Sequence, residues 1–168
     1  MPVPTGWKNK PLQMLLRKSF TREQALQKLK HFCNYQERCH NEVKEKLFSL
    51  GVKKSDHDVI MATLIEENYL NEERFALSFA SGKFRLKQWG KIKISAELRK
   101  RKISDYCIQK ALKQIGEDEY LQTLKKLAAK YAASIKSETP AWRKKKTIDY
   151  LLRKGYEGEL VFSLFQPA

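Results

Sequence analysis

Glycine and proline are scarce in this chain: seven and five among 168 residues, with three of the prolines in the first eleven. Little therefore interrupts a regular segment once it has begun. No run of about 18 apolar residues occurs, so no segment is expected to span a membrane. The apolar stretch "LQMLL" near the N-terminus is too short for a secretory signal. A cytoplasmic location follows as the expectation, and with it reduced thiols at Cys33, Cys39 and Cys107, the only cysteines present. Gly-rich phosphate loops, HExxH and GxSxG are all missing. His31, Cys33, Cys39 and His40 fall within ten residues but form no CxxC pair, and Cys33 reads as a small buried hydrophobe. His57 reads as exposed. Adjacent glutamates such as Glu66–Glu67 and Glu72–Glu73 point in different directions on a helix, which disfavours a carboxylate nuclease. No enzyme activity, metal or cofactor is expected.

Apolar residues are present in quantity, 42% of the chain, enough for a core. From Thr21 onward their spacing is helical. "TREQ" at 21–24 is a capping-box sequence, followed by a stripe of Leu26, Leu29, Phe32 and Cys33. Ser55 reads as the cap of a helix whose inner face carries Val59, Ile60, Thr63 and Leu64. Ser104 caps another, with Cys107, Ile108, Ala111, Leu112 and Ile115 as stripe and Gly116 as stop. Leu160, Val161, Leu164 and Phe165 repeat the figure.

These patterns fall into register. Val43, Leu47 and Val52 match Ile94, Leu98 and Ile103, and again Thr147, Leu151 and Tyr156, always spaced four and then five. Gly51 and Gly155 hold the same place, where one helix must give way to the next. A further helix precedes each pair. The spacing predicts an all-α protein of three tandem three-helix units, 21–70, 71–119 and 120–168, stacked into an elongated, curved array behind a basic N-terminal arm at 1–20. A single compact bundle is the competing arrangement.

Charge is strongly one-sided. Lysine and arginine outnumber aspartate and glutamate by 34 to 19, a net charge of +15, which predicts attraction to a polyanion. Residues 85–104, "RLKQWGKIKISAELRKRKIS", hold eight cations and a single acid, Glu97. Lys83, Arg85, Lys87 and Lys91 flank Trp89 on what reads as a connection. Lys93, Arg99, Lys100 and Arg101 follow on a helix that turns Ile94 and Leu98 inward and Lys93, Glu97, Lys100 and Arg101 outward. Arg143, Lys144, Lys145 and Lys146 follow Trp142 in the corresponding connection of the third unit, and Arg38 holds the equivalent place in the first. With no local acids to pair with, both runs read as sites for phosphates. Trp89 and Trp142 fit either base stacking or a role as core anchors at a helix entry, and the anchor role is the simpler. Glu72, Glu73, Glu117, Asp118 and Glu119 read as first-turn acids favoured by the helix dipole.

The residues also resemble those of a known family. "RCHNEVKEKLFSLGV" (Arg38, Glu42, Lys46, Leu47, Gly51), "NYLNEERFALSFA" (Tyr69, Leu70, Arg74, Phe75, Ala76) and "WGKIKISAELRKRKIS" (Gly90, Ile94, Glu97, Leu98, Ile103) are similar to segments of the RecX proteins, bacterial regulators of the recombinase RecA. The resemblance covers roughly residues 24–166. Departures are Asn71–Glu72 where the family has paired aspartates, and Asn68 and Lys102 where it has glycine. The resemblance implies a monomeric regulator, active in recombinational DNA repair and the SOS response, that lies along the RecA–single-stranded DNA filament. It implies inhibition of ATP hydrolysis, strand exchange and coprotease activity. A plain helix-turn-helix nucleic-acid binder and an adaptor for an acidic protein are the rival readings.

Overall fold

The computed structural model of the chain describes residues 19–136 and 139–166. The expected N-terminal arm lies, but for its last two residues, outside them. Among the described residues the fold is all-α, with nine helices and no strand: α1 (Arg22–Tyr35), α2 (His40–Ser49), α3 (Lys54–Glu66), α4 (Glu72–Lys87), α5 (Lys91–Lys100), α6 (Asp105–Lys113), α7 (Glu117–Ser134), α8 (Pro140–Lys154) and α9 (Gly158–Ser163). They form two compact units that divide between Leu70 and Asn71, α1–α3 in one and α4–α9 in the other. α7 begins at Glu117, so this helix runs across the 119/120 position where the spacing separated the second unit from the third.

The repeated four-then-five spacing has a single structural cause. Each middle helix buries its first two register residues and ends in a reversal that buries the third. The Val52 N–H donates to Leu47 O at 3.4 Å, Ile103 N–H to Leu98 O at 3.2 Å, and Tyr156 N–H to Leu151 O at 3.3 Å. This is the six-to-one bond of a Schellman ending, which needs a residue at positive φ just before the donor. Gly51 (φ 66°), Lys102 (φ 60°) and Gly155 (φ 89°) supply it. Lys102 thus takes up the left-handed conformation where the other two units use glycine. Asn68 (φ 60°) does the same at the end of α3. All nine register positions are buried. Thr147 is tolerated there because its hydroxyl donates to Arg143 O at 2.8 Å, leaving only its methyl to the core.

The first unit packs Ala25, Leu29 and Cys33 of α1 against Val43 and Leu47 of α2 and Ile60, Met61 and Leu64 of α3. Thr21 and Gln24 form the expected capping box, the Gln24 N–H donating to Thr21 Oγ1 at 3.3 Å and the Thr21 N–H to Gln24 Oε1 at 3.2 Å. Two expectations fail here. α3 begins two residues earlier than predicted, with Lys53 as N-cap, so Ser55 lies inside the first turn. The inner face of α3 carries His57, Ile60, Met61 and Leu64, and Val59 faces outward. His57 is buried, edge-on to the Phe48 ring at 4.8 Å between centroids, and its Nε2 lies 3.1 Å from Val52 O. A histidine can replace an apolar residue on an inner face when its ring nitrogen finds a carbonyl.

In the second compact unit α4 packs along α6, and α7 along α8. Ser104 caps α6 as expected, its Oγ accepting from the Cys107 N–H at 3.4 Å, while Gly116 serves as N-cap of α7 after α6 has already ended. The acid pair at the start of α4 is used in two ways. Glu72 accepts from the Ser104 backbone N–H and Glu73 pairs with Lys110 at 2.7 Å, so both fasten α4 to α6.

The joint between α5 and α8 is closed by backbone. The Gly90 N–H donates to Lys154 O at 2.8 Å and the Ile92 N–H to Gly155 O at 3.0 Å. A helix start has unpaired N–H groups and a helix end unpaired carbonyls. Here the two ends satisfy one another, with the macrodipoles head to tail. Contact this close leaves no room for side chains: a Cβ on Gly90 would overlap the Gly155 carbonyl, and one on Gly155 would overlap Lys93. The Lys91 N–H, between these two, donates to the Tyr120 hydroxyl at 2.9 Å.

Candidate cationic interface

The expected site residues separate into three groups with different chemistry. The first is consumed within the protein. Glu97 Oε1 accepts from Lys100 at 2.7 Å and its Oε2 from Arg101 at 3.0 Å, while Arg99 pairs with Asp105 at 3.1 Å. The expectation that this run lacks acids is therefore corrected. Helical geometry sets Glu97 against two cations at i+3 and i+4, and the α5–α6 turn brings round Asp105, one residue beyond the basic stretch. The Glu97 carboxyl is held below its ordinary range by the Lys100 and Arg101 hydrogen bonds.

The second group forms a strip of cations resting on rings, from α4, α5, α8 and the residues between α4 and α5. The Arg101 guanidinium sits 4.8 Å from the Phe79 ring centre and Lys83 Nζ 5.2 Å from the same ring. Lys83 is also 5.2 Å from the Trp89 ring, and Lys93 4.6 Å from it. Lys93 lies against Gly155 across the joint. Beside it, Lys154 Nζ donates to Lys87 O at 2.9 Å and stands 5.6 Å from Tyr150, which stacks on Tyr131 at 3.8 Å. Lys83, Arg85 and Lys87 belong to α4, so the connection is reduced to residues 88–90. Arg85 and Lys87, exposed in the last turn, complement the negative end of that helix. Lys93 is half-buried at the joint, where an outward position was expected. Trp89 is also half-buried, with Lys83 and Lys93 against its ring. Lys91 turns away from the strip to the Tyr120 ring, 4.8 Å distant.

The third group opens α8. Pro140 starts the helix, so Arg143, Lys144, Lys145 and Lys146 lie on its first two turns and no connection carries them. All four are exposed. Lys144 Nζ donates to Phe165 O at 3.0 Å, and Lys146 stands 4.9 Å from Trp142. Trp142 is 48% exposed and is no core anchor, because on the first turn of α8 its register position faces outward. In the first unit the Arg38 guanidinium lies 4.0 Å from the Phe32 ring.

Sequence reasoning missed Phe79 as a cation's partner, and it missed Tyr150, Lys154, Tyr120 and Glu157. Tyr120 is buried against Phe84 and Tyr156, its ring 5.7 and 5.1 Å from theirs, and donates to Glu157 Oε2 at 2.6 Å. Burial first, and then the bond to Glu157, raises its hydroxyl above the ordinary tyrosine range. An isolated tyrosine on an apolar stripe carries no signal of such a bond. Gly90 and Gly155 were legible as places where the chain turns, but not as one contact. Among the described residues no three His, Cys, Asp or Glu side chains come together in a way that could hold a metal ion, and no helix is long and apolar enough to cross a membrane.

Residues 71–112 match the family pattern described as the second three-helix domain of RecX, and residues 117–165 that of the third. Together the matches cover more than half of the chain. The chain belongs to the RecX family. They fall on α4–α6 and α7–α9, the helices that carry the strip and its joint. Among curated relatives, the Regulatory protein RecX of Leuconostoc mesenteroides is 28% identical over 119 residues, 71% of this chain and 45% of that protein. That of Lactobacillus johnsonii is 25% identical over 145 residues, 86% and 54% of the two chains. That of Pelodictyon phaeoclathratiforme is 28% identical over 123 residues, 73% and 75%. The chain thus spans about half the length of the first two RecX relatives. The crystal structure of RecX from Lactobacillus salivarius superposes with a TM-score of 0.77 at 23% identity, over 86% of this chain and 94% of that one, a likeness of fold.

Proposed function

We propose that this RecX-family protein regulates a RecA-type recombinase by binding its filament on single-stranded DNA. Bound there, it inhibits ATP hydrolysis, strand exchange and coprotease activity. The action is steric and electrostatic, requires no covalent chemistry or cofactor, and takes place in the cytoplasm with the protein as a monomer. The observation that supports this reading most is the cationic strip and the exposed Arg143–Lys146 run on the same two family-matched sets of helices. Lysines that serve no ion pair neutralise phosphates and release counterions, giving salt-sensitive affinity for nucleic acid of any sequence. Bridging of neighbouring recombinase subunits resists the rearrangements coupled to nucleotide turnover.

The test titrates the purified protein into fluorescent single-stranded DNA with and without ATP-loaded recombinase, following ATP turnover in the same samples. Tighter binding to the coated filament together with falling turnover is expected. Equal binding to bare DNA, with turnover falling only through competition for DNA, would make it a general nucleic-acid binder. Binding to neither would remove the reading.

A further inference from the structure

Six residues of the second compact unit set lysines against rings: Lys83 against both Phe79 and Trp89, Lys93 against Trp89, and Lys154 against Tyr150. Each is partly exposed. They come from α4, α5, α8 and the 88–90 connection, are separated by up to 75 positions in the chain, and lie on both sides of the α5–α8 joint where Lys93 meets Gly155. Unlike Arg99, Lys100, Arg101 and Lys110, the three lysines take part in no ion pair among the described residues. Their ammonium groups rest instead on aromatic rings, at 4.6–5.6 Å from the ring centres.

We infer that this strip is the track for a single nucleic-acid strand, with bases on Trp89 and Tyr150 and phosphates on Lys83, Lys93 and Lys154. This assignment rests on the filament-binding reading and names the surface that meets the strand. Magnitudes order the exchange. A lysine over an exposed ring gains about 0.5–1 kcal/mol, whereas a stacked base gains about 1–3 kcal/mol. A strand therefore displaces the ammonium groups from the rings, and its phosphates receive them a few ångströms away. An acidic peptide supplies charge for the lysines but no flat face for the rings, so the pairing of rings with lysines favours nucleic acid. Duplex DNA keeps its bases stacked and offers only phosphates, so the strip prefers a single strand. Because Phe79, Lys83, Trp89 and Lys93 stand on α4, α5 and the residues between them, and Lys154 and Tyr150 on α8, the spacing of the strip depends on the glycine contact that fixes the joint.

The experiment measures fluorescence anisotropy of a labelled oligothymidylate and of an abasic strand of equal length, with the full chain and with Trp89→Leu, Trp89→Phe, Tyr150→Leu, Tyr150→Phe and the pair Lys93→Gln/Lys154→Gln. Circular dichroism checks that each variant is folded. The intact protein is expected to bind the base-bearing strand more tightly than the abasic one. Each leucine variant should lose at least about fivefold on oligothymidylate and little on the abasic strand, with the phenylalanine variants restoring most of it. The lysine pair should lower the salt slope by about 0.7 per residue. Equal affinity for the two strands, or competition by polyglutamate as effective as by oligothymidylate, would overturn the inference even with filament binding intact. Failure of the intact protein to bind strand or filament would instead bring down the underlying reading. An oligothymidylate-binding protein whose leucine variants bind normally would move the contact to the Trp142 end of α8 and overturn the track.

Discussion

The Tyr120 hydroxyl donates to Glu157 Oε2 at 2.6 Å while accepting the Lys91 N–H at 2.9 Å, so one oxygen joins the start of α5, the first turn of α7 and the turn before α9. Tyr120→Phe leaves both Lys91 N–H and Glu157 without that partner at a part-buried site. Loss of a buried partner costs about 1–3 kcal/mol. A fall of that size in urea unfolding, with helix content unchanged, is the expected outcome.

Tyr156 behaves in the opposite way. Its ring is among the most buried in the protein, yet its hydroxyl has no hydrogen-bond partner among the described residues. Tyr156→Phe should therefore be neutral or raise stability by up to about 1 kcal/mol. A loss comparable to that of Tyr120→Phe would show that the hydroxyl is engaged.

Both tyrosines make the fold sensitive to alkali. Burial, followed by the charge of Glu157, pushes Tyr156 up to about 12, and Tyr120 is raised as well. A group whose folded pKa exceeds its unfolded value near 10 binds more protons folded than unfolded as pH rises. Their contribution is present in full below pH 10 and is lost as pH climbs through 10 toward 12. Stability should decline across that window, and the double phenylalanine variant should decline less steeply. Equal slopes would contradict the assignment.

Gly90→Ala and Gly155→Ala should each destabilise the protein by about 3 kcal/mol or more, since neither backbone neighbour can move aside for a methyl group. At Gly155 the positive φ adds to the cost. Gly82→Ala, where a Cβ meets nothing within 4 Å, serves as the control and should be neutral or slightly stabilising. Melting curves of the three variants check this ordering.

Neutralising Arg99 together with Lys100 should change strand affinity less than the Lys93→Gln/Lys154→Gln pair, because the first two already serve Asp105 and Glu97. The stability cost of losing these exposed pairs should stay below about 1 kcal/mol each. Anisotropy and urea unfolding of the two double variants make the comparison.

The linear order of residues decided the helices and their register. Val43, Leu47 and Val52 and their two counterparts were legible because burial of one helix face and a Schellman ending are local events, written within ten residues. The same locality made the Thr21 and Ser104 caps readable and misplaced Ser55, where the competing starts differ by two residues. Family membership was legible for a related reason, since the quoted segments cover these same local units. What each charge does was decided by the tertiary structure. Arg99 finds Asp105 through a turn, Lys93 meets Gly155 across more than sixty positions of chain, and Trp142 faces solvent because α8 begins at Pro140. Such partnerships depend on distances that only packing fixes, and a count of cations and acids along the chain carries no trace of them.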